Sequence, residues 1–229
     1  MPDTPLPGWT PRPRPERRVL EGRFARLEPL DPVRHADDLF AEAQGEDERH
    51  RYLFEEAPTD EAAFHEMLEE KAALADPLWF AIVDRRTGRA LGRLTLMRID
   101  EANGVVEVGN IFYGPAMMRT PMATEAIFLL GDYIFDTLGY RRFEWKCNDA
   151  NEPSKRAALR YGFTPEGVFR QAVVVKGRNR DTAWFSIIDR EWATVGGALR
   201  LWLAPDNFDE EGRQRRRLGD IREELSAET

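Results

Sequence analysis

Leu138-Gly139-Tyr140-Arg141-Arg142-Phe143-Glu144-Trp145-Lys146-Cys147-Asn148-Asp149-Ala150-Asn151-Glu152-Pro153-Ser154 is the stretch on which the fold turns. Arg141 to Cys147 reads as a strand. Pro153 to Tyr161 reads as a short helix closed by Gly162, a residue free to take the left-handed conformation that ends helices. Upstream, Thr120 caps a longer helix with Pro121 in its first turn, where a missing N–H costs nothing. Ile127, Phe128, Gly131, Ile134, Phe135 and Leu138 recur on one stripe of that helix. A strand set between two helices points to an α/β chain.

Working outward, Val19 to Leu30 reads as a first strand. Asp31 caps a helix from Pro32 to Ala43, its carboxylate accepting otherwise unpaired backbone N–H groups. Thr59 begins a second helix, which Pro77 ends. Leu78 to Asp84 and Arg89 to Ile99 are strands joined by a turn at Thr87-Gly88. A further strand runs from Gly104 to Tyr113. Phe169 to Lys176 and Asp181 to Asp189 form a closing antiparallel pair around Gly177. The predicted organisation is a Pro- and Arg-rich arm (1–18), one α/β domain (19–192) and a C-terminal helix with a charged tail (193–229). The arm is expected to pack loosely on the domain. The tail from Asp206 is expected to be solvated or frayed.

The chain has 229 residues, enough for a hydrophobic core without disulfides or a structural metal. Its single cysteine, Cys147, excludes an internal disulfide. No secretory signal or bilayer-length apolar run is present, so a cytoplasmic location is expected. A net charge of -8 argues against generic nucleic-acid binding and suits a cationic or neutral amine; its alternative is solubility alone.

Four groups of words carry a family resemblance: Glu107-Val108-Gly109; Ala123-Thr124-Glu125-Ala126; Leu138-Gly139-Tyr140-Arg141-Arg142 with Glu144-Trp145-Lys146, Asn151 and Ser154; and Tyr161-Gly162-Phe163, Glu166-Gly167, Phe169-Arg170, Lys176-Gly177-Arg178, Arg180-Asp181-Thr182 and Glu191-Trp192. In this order they resemble the GNAT superfamily of N-acetyltransferases, in the branch of the ribosomal-protein N-terminal acetyltransferases. The resemblance implies a mixed, strongly twisted sheet of about six to seven strands flanked by helices. It implies acetyl-CoA as co-substrate, no metal, and direct transfer of acetyl to a primary amine, either a protein N-terminus or a small molecule. Members of this branch often form homodimers.

Site residues follow from the resemblance, position by position. The loop Met118-Arg119-Thr120-Pro121-Met122-Ala123 with Thr124 corresponds to the segment whose N–H groups and helix dipole hold the pyrophosphate. The family keeps Gly where Pro121 stands. Arg119 can supply charge directly. Carbonyl polarisation falls to a backbone N–H between Asn110 and Tyr113, with Ile111, Phe112 and Tyr113 as cofactor contacts. Glu107 matches a frequent carboxylate and is the candidate base; its structural alternative is a strand glutamate paired with an arginine. Asn151 corresponds to a contact with the pantetheine arm. Ser154 is the candidate partner of the thioester sulfur; its alternative is a first-turn cap with Asn151. Ala158 stands where many members have a catalytic tyrosine.

His35, His50 and His65 match no metal spacing and are expected on the surface. Cys147 is expected to be buried and inert rather than nucleophilic. Two other readings remain open at this point: a non-catalytic acyl-CoA-binding regulatory module, motivated by Pro121 and Ala158, and a protein-interaction scaffold, motivated by the two tails.

Overall fold

The computed structural model describes residues 5–227. In chain order the elements are β1 (Leu20–Glu21), β2 (Ala25–Pro29), α1 (Pro32–Ala43), α2 (Asp47–His50), α3 (Glu61–Ala73), β3 (Leu78–Asp84), β4 (Ala90–Asp100) and β5 (Val105–Tyr113). Then come α4 (Pro121–Asp132), prolonged by a wider turn over Tyr133–Thr137, β6 (Arg142–Asn148), α5 (Glu152–Tyr161), β7 (Thr164–Val175), β8 (Arg178–Ile188), α6 (Asp189–Leu203) and α7 (Leu218–Ala227). The strands form one 8-stranded sheet in the order β1-β2-β3-β4-β5-β6-β8-β7. Among the described residues, no helix is long and apolar enough to cross a membrane.

The extra strand beyond the expected count comes from Val19 to Leu30, which is broken rather than continuous. Glu125 of α4 is buried and accepts backbone N–H groups from Arg23 at 2.7 Å, Phe24 at 2.6 Å and Ala25 at 2.6 Å. Gly22 faces that carboxylate so closely that a Cβ would lie 2.4 Å from Glu125 Cδ. A side-chain carboxylate thus completes the turn between β1 and β2 and pins it to α4.

Among the described residues only β5 and β6 pair in parallel, with α4 as the crossover between them; the other neighbours run antiparallel. Side-chain alternation divides β3 cleanly. Leu78, Phe80 and Ile82 face a core shared with α4, α5 and α6; Trp79, Ala81 and Val83 face a second core under α1 and α3. In β5 an extra residue opposes β4 between Gly109 and Phe112, and Asn110 takes a φ of 50°. This bulge reverses the alternation. Val106 and Val108 face the α4 core before it, Ile111 and Tyr113 after it.

Both ends of the chain depart from expectation. Residues 1–4 of the arm lie outside the described residues. The rest is tied down: Trp9 Nε1 donates to Ala102 O at 2.9 Å, Glu16 N to Tyr133 Oη at 2.9 Å, and Arg17 to the carbonyls of Ala72 and Leu74 at the end of α3. Proline-rich backbone, short of its own donors, is held here by side-chain donors added to the few backbone N–H groups it keeps. Likewise Leu218 and Ile221 of α7, within the segment read as a solvated tail, belong to the main core, beside Trp202 of the expected C-terminal helix. Burying such side chains stabilises by about 2 kcal/mol each, which outweighs the charge that made the segment look solvated. Residue 192 is therefore no boundary, since α6 crosses it. Residues 228–229 of the tail lie outside the described residues.

The histidines are also corrected. His35 is 3% exposed and His50 1%. Burial pushes both imidazoles below their ordinary pKa. His35 Nδ1 accepts from Asp31 N at 3.1 Å and closes the start of α1, while the His50 ring packs on Phe112 at 4.9 Å. His65 stays at the surface, with Nε2 2.9 Å from Asp37 Oδ1.

Candidate active site

Pairing of β5 with β6 ends at Val108–Trp145, yet β5 runs on to Tyr113 and β6 to Asn148. Beyond that point the two strands splay, and β5 has no partner on its β6 side. A cavity of about 1430 Å³ occupies the opening and reaches both faces of the sheet.

On the α4 face the cavity meets the loop from Met118 to Thr124. Thr120 occupies the N-cap position of α4 with extended backbone, but its hydroxyl donates to Met117 O at 2.7 Å instead of accepting from the helix. The amides of the first turn are thus left uncapped by any side chain, as an anion site at a helix start requires. Pro121 takes the first helical position, where its lack of N–H removes one donor without disturbing the others. Arg119 lines the cavity with a left-handed φ of 60°. Met122 points elsewhere: it is buried in the α4 core, so only its backbone can serve a ligand. Thr124 lines the cavity, and its hydroxyl accepts from Arg160 Nη1 at 2.8 Å.

Asn151 and Ser154 sit at the start of α5 and both line the cavity. Asn151 is the N-cap, its carboxamide oxygen accepting from Ser154 N at 3.1 Å. The Ser154 hydroxyl accepts from Trp145 Nε1 at 3.0 Å. Cys147 lies beside it, buried; burial pushes its thiol up, which opposes nucleophilic use. Ala158 is buried in the core, and the phenols nearest this wall are Tyr113 and Tyr161. Burial raises both, so each stays protonated at neutral pH. The two phenols interact with each other.

On the opposite face the cavity meets Glu107, one residue before the splay. Its carboxylate is buried, and both of its cations fall on Oε2: Arg98 Nη1 at 2.7 Å and Lys146 Nζ at 2.8 Å. Lys146 also holds Glu144 at 2.7 Å and lies 3.8 Å from the centre of the Trp184 ring. Glu107 therefore has the expected arginine partner as well as a place at the cavity. Phe112 turns to this face after the bulge and packs on His50 and Arg93. Its side chain is thus separated from Ile111 and Tyr113, leaving its backbone as the part nearest the cofactor side.

The structure adds Arg160 and Arg180 to the cavity wall. Arg160 carries no local signal, being one helix arginine among many, while Arg180 belongs to the family word Arg180-Asp181-Thr182 but was not expected at the site. It also brings Asp37, Glu61 and His65 within 4.8 Å of one another at the surface, a grouping that sequence spacing did not suggest.

Residues 26–164 match the family described as Acetyltransferase (GNAT) domain. The chain belongs to the GNAT acetyltransferase family. A crystal structure of a GCN5-related N-acetyltransferase from Brucella melitensis is similar over 95% of this chain and 100% of that one, at 52% identity and a TM-score of 0.93. The N-acetyltransferase p20 of Bacillus licheniformis is 33% identical over 114 residues, which are 50% of this chain and 64% of that relative. This chain therefore spans less than two thirds of that curated relative's length. A Salmonella typhimurium acetyltransferase described as modifying the N-terminal serine of ribosomal protein L7/L12 shares the fold at 18% identity, with a TM-score of 0.66 over 75% of this chain and 99% of that one. Within the GNAT family, acetyl-CoA is the co-substrate. The uncapped start of α4 with Arg119 beside it suits the diphosphate of that molecule, and the splay suits its pantetheine arm.

Proposed function

We propose that this GNAT chain transfers acetyl directly from acetyl-CoA to a primary amine, on a protein N-terminus or a small molecule, within one ternary complex. The observation that carries the reading is the splay between β5 and β6, because it joins the uncapped helix start on one face to Glu107 on the other. A thioester lying in the opening meets the amine from the far side.

In this reading Arg119 and the first-turn amides of α4, from Met122, Ala123 and Thr124, hold the diphosphate, with Thr120 shaping the turn. Asn151 borders the pantetheine arm. A backbone N–H among Ile111, Phe112 and Tyr113, freed from pairing with β6, polarises the carbonyl; such a donor is worth about 3 kcal/mol. Glu107 takes the amine proton through Oε1 or an intervening water, since Oε2 is held by Arg98 and Lys146. The amine nitrogen bonds to the carbonyl carbon, the C–S bond breaks, and its electron pair leaves on sulfur. Ser154 donates to that sulfur. CoA thiolate, with a pKa near that of cysteine at about 8.5, needs little further help, which is consistent with Ala158 in place of a tyrosine.

Two measurements test the proposal. Acetyl-CoA is titrated by calorimetry, and CoA release is followed across amines and N-terminal peptides. Binding with acceptor-dependent release is expected, and Glu107→Gln should depress release while sparing acetyl-CoA affinity. Binding without release for any acceptor would favour the regulatory-module reading, and absence of binding would remove both.

A further inference from the structure

Along β8 the side chains of Arg180, Thr182 and Trp184 occupy alternate positions, so they share one face of the strand. That is the Glu107 face: Lys146, which grips Glu107, lies against the Trp184 ring. All three line the cavity. All three also carry a buried polar atom with no partner: Arg180 Nε, Thr182 Oγ1 and Trp184 Nε1. Arg180 is 8% exposed and Thr182 7%. Unsatisfied buried donors are costly, and a row of three along one cavity wall calls for a ligand that satisfies them.

Arg180 sets the sign of that ligand. Among the described residues it makes no ion pair, and its guanidinium lies over the face of Phe54, 4.9 Å from the ring centre. Glu107, the carboxylate within its electrostatic reach, is already shared by Arg98 and Lys146. The acceptor half of the cavity thus holds a desolvated guanidinium in need of an anion. Phe54, Phe169 and Val173 supply apolar wall around it.

We infer that the acceptor bears a carboxylate beside its amine, bound by Arg180 with Thr182 and Trp184 as further donors. This rests on the acetyl-transfer reading and narrows its acceptor class. A guanidinium matches a carboxylate in a two-point geometry, and indole and hydroxyl donors complete the remaining lone pairs. The carboxylate can belong to a free apolar amino acid or to an acidic side chain near a peptide N-terminus.

The test compares matched acceptors. L-Methionine and L-phenylalanine are set against their carboxamides, and Ala-Asp-Ala-amide against Ala-Ala-Ala-amide, using CoA release and calorimetric binding to the CoA complex. A carboxylate preference of roughly 10- to 100-fold, expressed in KM, is expected in one pair of arms, which also identifies the source. In Arg180→Gln that preference should collapse; in Arg180→Lys, which keeps charge without the planar fork, part of it should remain. Retained acetyl-CoA affinity certifies that each variant is folded. If Arg180→Gln does not fold, Thr182→Val takes its place, with a smaller loss expected. Equal use of acids and amides, or a preference that survives Arg180→Gln, overturns the inference while leaving acetyl transfer standing. Failure of acetyl-CoA to bind the wild type removes the transfer reading instead; N-acetyl-L-methionine binding to the free protein, weakened by Arg180→Gln or not, then decides whether the anion site exists.

Discussion

The indole N–H of Trp145 donates to the hydroxyl oxygen of Ser154 across 3.0 Å. Because the oxygen is engaged as an acceptor, the Ser154 proton is left to point elsewhere, toward the thiol of Cys147 or into the cavity. A β6 side chain thereby orients a hydroxyl at the start of α5 on the cavity wall, the group proposed to meet the leaving sulfur.

Ser154→Ala should lower kcat by about tenfold, since a thiolate leaving group needs only modest help. Acetyl-CoA affinity should change much less, because the proposed bond strengthens as charge builds on sulfur. The substitution also leaves Trp145 Nε1 without its acceptor, costing about 1 to 2 kcal/mol of stability. Steady-state CoA release and urea unfolding separate the two effects. A kcat unchanged from wild type would remove Ser154 from the chemistry and leave it as a helix-start residue.

Arg119 combines charge at the cavity with a left-handed φ of 60°. Arg119→Ala should weaken acetyl-CoA binding by about tenfold or more, through loss of a charge-assisted contact. Arg119→Gly should weaken it similarly but stabilise the free protein by about 1 kcal/mol relative to Arg119→Ala, because glycine adopts this backbone without strain. Calorimetry and thermal unfolding of the two variants check both halves. Nucleotide affinity untouched by either would dismiss Arg119 as a phosphate contact.

Acid stability should depend on Glu55. Burial alone would raise its pKa, but the charges of Arg93 and Lys71 and their hydrogen bonds override this and lower it from 4.5 to about 2. Arg93 is 1% exposed, and Lys71 Nζ lies 2.9 Å from Glu55 Oε2. A carboxylate depressed in the folded state contributes stability above its ordinary pKa and loses it as pH falls through the folded value. The wild type should therefore lose stability between pH 4.5 and about 2. Glu55→Gln should cost about 3 kcal/mol near neutrality, by stranding buried Arg93, and should flatten the acid limb. Denaturant midpoints measured across that pH range provide the check; parallel acid limbs for the two proteins would contradict it.

Much of this architecture was legible in the chain because its signals are local. Asp31 and Gly162 mark helix ends by chemistry that acts within a turn, and both do so here, Asp31 Oδ1 accepting from Val33 N and Gly162 taking a φ of 99°. The start of α3 slipped by one residue: Asp60, not Thr59, accepts from Ala63 N at 2.7 Å. Thr120 was misleading in a different way. It has the right residue type and position for a cap, but Met117 O lies within reach of its hydroxyl and takes the proton. That preference arises from the tight turn Pro115–Met117 ahead of it.

The sequence alone determined the order of the main strands and helices between Leu78 and Ile188, the family, and most of the segments that meet at the cavity, since each depends on residues close together in the chain. Tertiary structure decided which side of the sheet each group serves. The Asn110 bulge moves Ile111 and Tyr113 to one face and Phe112 to the other, and no residue type announces it. Structure also decided that Leu218 and Ile221 of the charged C-terminal segment join the core and that, among the described residues, Arg180 makes no ion pair. Burial and pairing are properties of distant neighbours: the same arginine is unremarkable on an open strand and demanding when water is removed from it.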